Sequence, residues 1–220
     1  MAGRIAVVGV PADGAPLAGP AAAALAAAEV VVGGRRHLSA LAPTGARTLP
    51  VESDVASVLD AVAAEPGPVC VLASGDPGFF GILRSLSARF GSGRLDVHPA
   101  VSSVAVAFAR LGLSWDDAVV VSAHGRPLDD AAAALRGVDK AAVLVSPDSP
   151  PEALGKALLA SGPEVGAAYE VAVCSRLGTS AESVVRTDLP GLAAGTWDPL
   201  SVVLLHRPEA AGLHAPTLAW

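Results

Sequence analysis

Val69-Cys70-Val71-Leu72-Ala73-Ser74-Gly75-Asp76-Pro77-Gly78-Phe79-Phe80-Gly81 decides the fold. Its first five residues are an unbroken apolar run of strand length, as expected of a strand buried on both faces of a parallel sheet. The run stops at glycines, a proline and an acid, which fix a turn. Residues 79–90 then read as a helix ended by Gly91. The same succession of strand, turn and helix recurs to either side. Residues 4–10 are a β-branched run that ends in a Gly/Pro/Asp loop, and residues 20–28 are an alanine-rich helix opened by proline. Residues 30–32 form a short strand stopping at Gly33-Gly34, followed by a short helix at 36–41. Ser53 caps a helix to Ala64 with Val55, Val58, Leu59 and Val62 at helical spacing. Residues 95–98 read as a strand and 102–111 as a helix closed by Gly112.

After a linker at 113–117 the alternation resumes. Strands are expected at 118–122, 141–145, 166–173 and 201–206, and helices at 128–136 and 151–161. Residues 180–194 read as a strand pair plus a short helix. The expectation is an α/β chain of two α/β domains, 1–112 and 118–207, with a loosely ordered tail at 208–220.

Composition narrows the function. Hydrophobic residues make up 52% and charged residues 16%, which excludes disorder. A net charge of −6 and a pI near 5.3 argue against nucleic acid as a partner. Of 15 basic residues only Lys140 and Lys156 are lysines, so arginine forks for an anionic small molecule remain available. Cys70 and Cys174 sit in apolar runs and read as buried, reduced thiols of a cytoplasmic protein. No membrane partner is expected: the longest charge-free stretch, 14–28, is too short to span and carries two prolines. Pro11, Asp13 and Gly14 cut the first apolar run too early for a signal peptide. Nucleophile motifs are absent, and the five histidines are never at metal-ligand spacing, so no protein-bound metal is expected.

Four loops at strand ends could carry chemistry. Gly9-Val10-Pro11-Ala12-Asp13-Gly14 lacks the middle glycine of a dinucleotide fingerprint and reads equally as an ordinary turn. Gly75-Asp76-Pro77-Gly78 reads as a ligand loop because it follows a buried strand. Ser102 and Ser103 either cap the next helix or bond a ligand. His124-Gly125-Arg126 follows the first strand of the second half, where a histidine and an arginine suit carboxylates or a proton. Arg35-Arg36-His37 is a further basic cluster, readable as a solvated helix start.

These loops, with Val7-Val8-Gly9, Gly33-Gly34-Arg35-Arg36-His37-Leu38 and Ser122-Ala123-His124-Gly125-Arg126-Pro127, resemble the tetrapyrrole methylase family over nearly the whole chain. The last two stretches are similar to the branch that methylates C5 of precorrins. The resemblance implies the class III methyltransferase type, two α/β domains with S-adenosylmethionine in the cleft between them, usually as a homodimer. It implies that Ala12 and Asp13 border the cofactor, that Gly75, Asp76 and Phe79 hold its methionine end and sulfur, and that Ser102 and Ser103 continue that wall. Ser146, Gly178, Thr179, Pro199 and Leu200 would enclose the adenosine. The macrocycle's carboxylates point to Arg35, Arg36, His124 and Arg126, with His124 also a candidate proton acceptor. Val10-Pro11 departs from the family, where glycine is commoner. Some relatives carry a further domain for C15 methylation and decarboxylation, so a separate subunit is expected to perform those steps. Rival readings are methylation of another tetrapyrrole position, a nicotinamide oxidoreductase, and a non-catalytic corrinoid-binding partner.

Overall fold

The computed structural model describes residues 4–51, 55–124, 127–162 and 169–208. Contacts divide the chain into two units, Met1–Ser102 and Ser103–Trp220. The division falls ahead of the expected linker at 113–117.

The first unit holds strands β1 (Ile5–Val10), β2 (Val30–Gly33), β3 (Arg47–Pro50), β4 (Val69–Ser74) and β5 (Leu95–His98). They form one sheet in the order β3-β2-β4-β1-β5, with every pair parallel. Its helices are α1 (Gly19–Ala26), α2 (Arg35–Leu41), α3 (Val55–Ala64) and α4 (Leu83–Phe90). Side-chain alternation sends Val8, Val31, Cys70 and Leu72 to one face, where Leu25 of α1 and Leu38 of α2 cover them. Ile5, Val7, Val30, Val32, Val69 and Val71 face the other way, against Val58 and Val62 of α3 and Leu86 of α4. Both faces are covered, which is why these strands read as continuous apolar runs.

The second unit holds α5 (Ser103–Leu111), β6 (Val119–Ser122), α6 (Leu128–Ala134), β7 (Lys140–Leu144), α7 (Pro151–Ala160), β8 (Glu170–Ser175), β9 (Ser183–Thr187), α8 (Leu189–Ala194) and β10 (Ser201–His206). The sheet order is β6-β7-β10-β8-β9; β6 and β7 are parallel and the remaining pairs antiparallel. Val143, Val171, Val173, Val203 and Leu205 pack against Leu135, Leu154, Leu158, Leu189 and Leu192 from the α6–α8 side. Helix α5 packs on β10.

Three expectations are corrected, and one strand had not been expected. β3 had no apolar signal, because it is a largely exposed edge strand paired only with β2. Its Pro50 lacks an amide donor, which an edge tolerates. Helix α4 starts at Leu83 rather than Phe79: Phe80 has φ 53°, a left-handed conformation that a helix cannot contain. Residues 180–194 hold one strand, not a pair; Asp188 caps the following helix by accepting from the Gly191 amide at 2.7 Å. β8 runs on to Ser175, past the expected end at 173. The Ser53 cap, the expected strand start at 166–168 and the tail from 209 lie outside the described residues. Both cysteines are buried and free, and burial pushes the thiol of Cys70 up to about 12 and that of Cys174 up to about 11.

Candidate functional site

Strands β1 and β4 are neighbours, yet the chain leaves them on opposite faces, β1 into α1 and β4 into α4. Such a switch in direction marks the carboxyl ends of the strands as the place where open α/β sheets bind ligands. Three loops meet there. The Gly75 amide donates to the Val10 carbonyl at 2.7 Å, and the Ala12 amide donates to the Val101 carbonyl at 3.0 Å. The loops after β4 and β5 are thus both tied to the loop after β1.

The loops approach by omitting side chains. A Cβ on Gly9 would run into the Gly75 carbonyl oxygen and stand 2.8 Å from the Ala100 nitrogen. Gly75 has φ 63°, and a Cβ there would lie 3.1 Å from the Ser102 Cα. Gly75 is buried. Asp76 and Phe79 are half-buried beside it, and one Asp76 oxygen accepts the Gly78 amide at 2.8 Å. Asp13 is exposed, and its Oδ1 accepts the Ala15 amide at 3.0 Å. The structure therefore gathers Ala12, Asp13, Gly75, Asp76, Phe79 and Ser102 along one sheet edge. The Ala12 amide is already committed to Val101, so it orders the loop and is not free to donate to a ligand. Ser103 opens α5 and is half-buried.

One pair escaped the sequence reading. His37 Nε2 lies 2.8 Å from Ser74 Oγ. His37 sits in the first turn of α2, directly beyond β2, and Ser74 ends β4. The two strands are neighbours, a fact that Arg35-Arg36-His37 as a string does not carry. Burial, and then the adjacent Arg36 charge, hold the His37 imidazole below the ordinary histidine value. Arg35 and Arg36 are exposed at the start of α2.

In the second unit β10 runs antiparallel to β7 and β8, so its amino end lies beside their carboxyl ends. Val202 is opposite Leu144, and Ser201 is opposite Ser175. Ser146, Gly178, Thr179, Pro199 and Leu200 therefore share one edge of this sheet. His124 joins them, since β6 ends beside β7. The edge is strongly organised. The Arg176 amide donates to the Leu200 carbonyl at 2.9 Å, and the Leu200 amide donates to Asp198 Oδ1 at 2.8 Å. The Gly178 amide donates to Glu182 Oε2 at 2.7 Å. Arg110 of α5 grips the same carboxylate at 2.5 and 3.2 Å, and these bonds hold Glu182 below the usual carboxylate range, the Arg110 bond more than the Gly178 one. Thr179 Oγ1 donates to the Arg176 carbonyl at 2.7 Å. Gly178 and Thr179 thus shape a loop with their polar hydrogens already used. Leu200 is 54% exposed, an apolar side chain open to a ligand.

Ser146 differs from its neighbours. Its backbone forms a two-way bridge with Ser149, N–H to O at 3.2 and 3.0 Å. Its residue is 3% exposed, and its Oγ is buried with no hydrogen-bond partner among the described residues. A buried hydroxyl left unpaired costs stability, and among the described residues none supplies its partner. His124 is exposed, with its amide donating to Ser122 Oγ at 3.3 Å. Arg126 lies outside the described residues. Among the described residues no helix is long and apolar enough to cross a membrane.

Known proteins resemble this arrangement. The family model for tetrapyrrole (corrin/porphyrin) methylases matches residues 4–193. A precorrin-6Y C(5,15)-methyltransferase [decarboxylating] of Sinorhizobium sp is 37% identical over 216 residues, 97% of this chain and 52% of that protein. A cobalt-precorrin-7 C(5)-methyltransferase of Salmonella typhimurium is 36% identical over 122 residues, 54% of this chain and 61% of that protein. This chain thus spans about half the length of the first relative. Among solved structures, the precorrin-6Y methylase of Archaeoglobus fulgidus superposes with TM-score 0.69 at 22% identity, covering 93% of this chain and 98% of that one. A uroporphyrin-III C-methyltransferase of Thermus thermophilus, solved with S-adenosylhomocysteine, gives TM-score 0.69 at 24% identity, covering 99% of this chain and 97% of that one.

Proposed function

This chain belongs to the tetrapyrrole (corrin/porphyrin) methylases, and from that premise we propose that it transfers a methyl group from S-adenosylmethionine to C5 of precorrin-7 or its cobalt form. The observation that carries the reading is the close approach of the loops beyond β1, β4 and β5, where Gly9 and Gly75 let backbone meet backbone at the strand ends. The family is one of S-adenosylmethionine-dependent methyltransferases.

When bound, the cofactor supplies a methyl group on a positively charged sulfur, which a carbon nucleophile attacks without any covalent enzyme intermediate. The chain's work is then binding and alignment. In this reading Gly75, Asp76 and Phe79 hold the methionine end, with Ala12, Asp13, Ser102 and Ser103 beside them. Ser146, Gly178, Thr179, Pro199 and Leu200 enclose the adenosine. Ser146 Oγ supports that part, because it has no partner among the described residues and a nucleoside offers one. The exposed Arg35 and Arg36 guanidiniums match the macrocycle's carboxylates, and Arg126 and His124 serve the same end. The partner this reading adds is a separate C15-methylating, decarboxylating subunit. The enzyme works in the cytoplasm as a homodimer, with no protein-bound metal.

Ser146→Ala separates ligand binding from folding. Removing an unsatisfied buried hydroxyl leaves the free protein as stable or slightly more so, while S-adenosylmethionine binding weakens by about tenfold, the value of one hydrogen bond to a ligand. Thermal unfolding and calorimetry read the two effects; a loss of stability without loss of affinity would reject the adenosine role.

The decisive test is mass spectrometry of precorrin-7 and of its cobalt form, each incubated with the chain and methyl-labelled S-adenosylmethionine. One labelled methyl at C5 without loss of carbon dioxide is expected. Cofactor binding with no transfer to either form would move the search to another tetrapyrrole.

A further inference from the structure

Methylating a ring carbon that bears hydrogen has a second half. The carbon–methyl bond forms, the methyl–sulfur bond breaks with its electron pair left on sulfur, and the ring must then release one proton. The electron pair of the broken carbon–hydrogen bond stays in the ring and restores its conjugation. Some base must take that proton.

We propose that Ser74 and His37 are that base: Ser74 Oγ takes the proton from the methylated carbon and passes its own proton to His37 Nε2. The proposal rests on reading the chain as a C-methyltransferase. Several observations carry it. Ser74 Oγ and His37 Nε2 are 2.8 Å apart, a distance at which a proton passes directly. Ser74 is exposed at the carboxyl end of β4, so a bulky substrate can reach it. It immediately precedes Gly75, whose loop is the assigned seat of the cofactor's methionine end. Methyl donor and proton acceptor are then held by consecutive residues. A serine alone cannot take a proton without giving one up, and the imidazole behind it is the outlet.

The histidine's surroundings suit the task. Its half-buried ring and the Arg36 guanidinium both disfavour the imidazolium, so His37 stands neutral and able to accept at neutral pH. The same two influences drive the proton on to solvent after turnover. His124, the other candidate, is exposed, and its amide bond to Ser122 does not aim its ring. A purely structural pair would merely fasten α2 to β4 and would be indifferent to which nitrogen carries the proton. The relay requires the hydrogen on Nδ1, leaving Nε2 free to accept from the Ser74 hydroxyl.

Two readouts on the full chain test this. The first needs no turnover: nitrogen NMR of the histidine-labelled protein at neutral pH, with the His37 signal assigned by its loss in His37→Gln. Nε2 is expected to be unprotonated, and its signal should shift in Ser74→Ala. A protonated Nε2 overturns the proposal. The second is methyl transfer to precorrin-7. Ser74→Ala and His37→Gln should each lower kcat by about a hundredfold or more, the usual worth of a positioned base, with KM for both substrates little changed. The double variant should fall no further than the singles, because the two residues act as a unit. Ser74→Thr, which keeps the hydroxyl, should retain most of the activity. Unchanged S-adenosylmethionine affinity and thermal stability in the variants exclude misfolding. Near-wild-type kcat in both single variants, or a loss confined to KM, overturns the relay while leaving the methyltransferase intact. A wild-type chain that methylates nothing at C5 overturns the proposed function, and the relay falls with it.

Discussion

Gly9→Ala destabilises the first unit by an amount at the upper end of the roughly 1–3 kcal/mol typical of an overpacked interior, and weakens S-adenosylmethionine binding at the same time. The new Cβ would collide with the Gly75 carbonyl oxygen and stand 2.8 Å from the Ala100 nitrogen and 2.9 Å from the Ala100 Cβ. Two of these three atoms are backbone, and both belong to loops tied to the loop after β1. Neither can rotate away as the end of a side chain can, so the loops after β4 and β5 must move apart. Gly93→Ala is the control: nothing lies within 4 Å of its Cβ, and stability should change by no more than about 0.5 kcal/mol. Chemical denaturation compares the two variants. A Gly9→Ala protein as stable and as tight-binding as Gly93→Ala would mean that the close approach of the loops is unnecessary.

Gly75→Val and Asp76→Ala each weaken S-adenosylmethionine binding by roughly a hundredfold or more, about 2.7 kcal/mol, with the fold retained. The causes differ. At Gly75 a branched side chain meets φ 63° and a Ser102 Cα 3.1 Å from its Cβ, so the loop must change its path. At Asp76 the loop loses the carboxylate that accepts the Gly78 amide at 2.8 Å and holds the turn. Circular dichroism tests the fold and calorimetry the affinity. Wild-type affinity in both would remove this loop from the cofactor site. The two predictions are linked, because Gly9 and Gly75 are opposite sides of one contact.

The candidate site was legible wherever its signal is local. Gly75-Asp76-Pro77 stands out because turn chemistry requires those residue types within a few positions, and the apolar runs before it mark the strand ends. His37 and Ser74 lie 37 positions apart in chain number, and nothing in either neighbourhood names the other. The resemblance puts Gly178 and Thr179 around the adenosine, yet Glu182 and the Arg176 carbonyl already take their hydrogens. Phe79 closes a turn where a helix was expected, its amide donating to the Asp76 carbonyl at 3.0 Å, because the left-handed Phe80 keeps the regular path from starting.

Short-range chemistry therefore settled the α/β class, most of the elements and the glycine loop, since apolar runs and turn residues act over a handful of neighbours. Strand order is a different kind of information. It depends on which faces of β1, β2 and β4 are buried against which helices, and that choice is made between segments far apart in the chain. Tertiary structure alone decided that β3 joins as an exposed edge, that Ser146 Oγ is buried with no partner among the described residues, and that β2 beside β4 brings an imidazole to a serine hydroxyl.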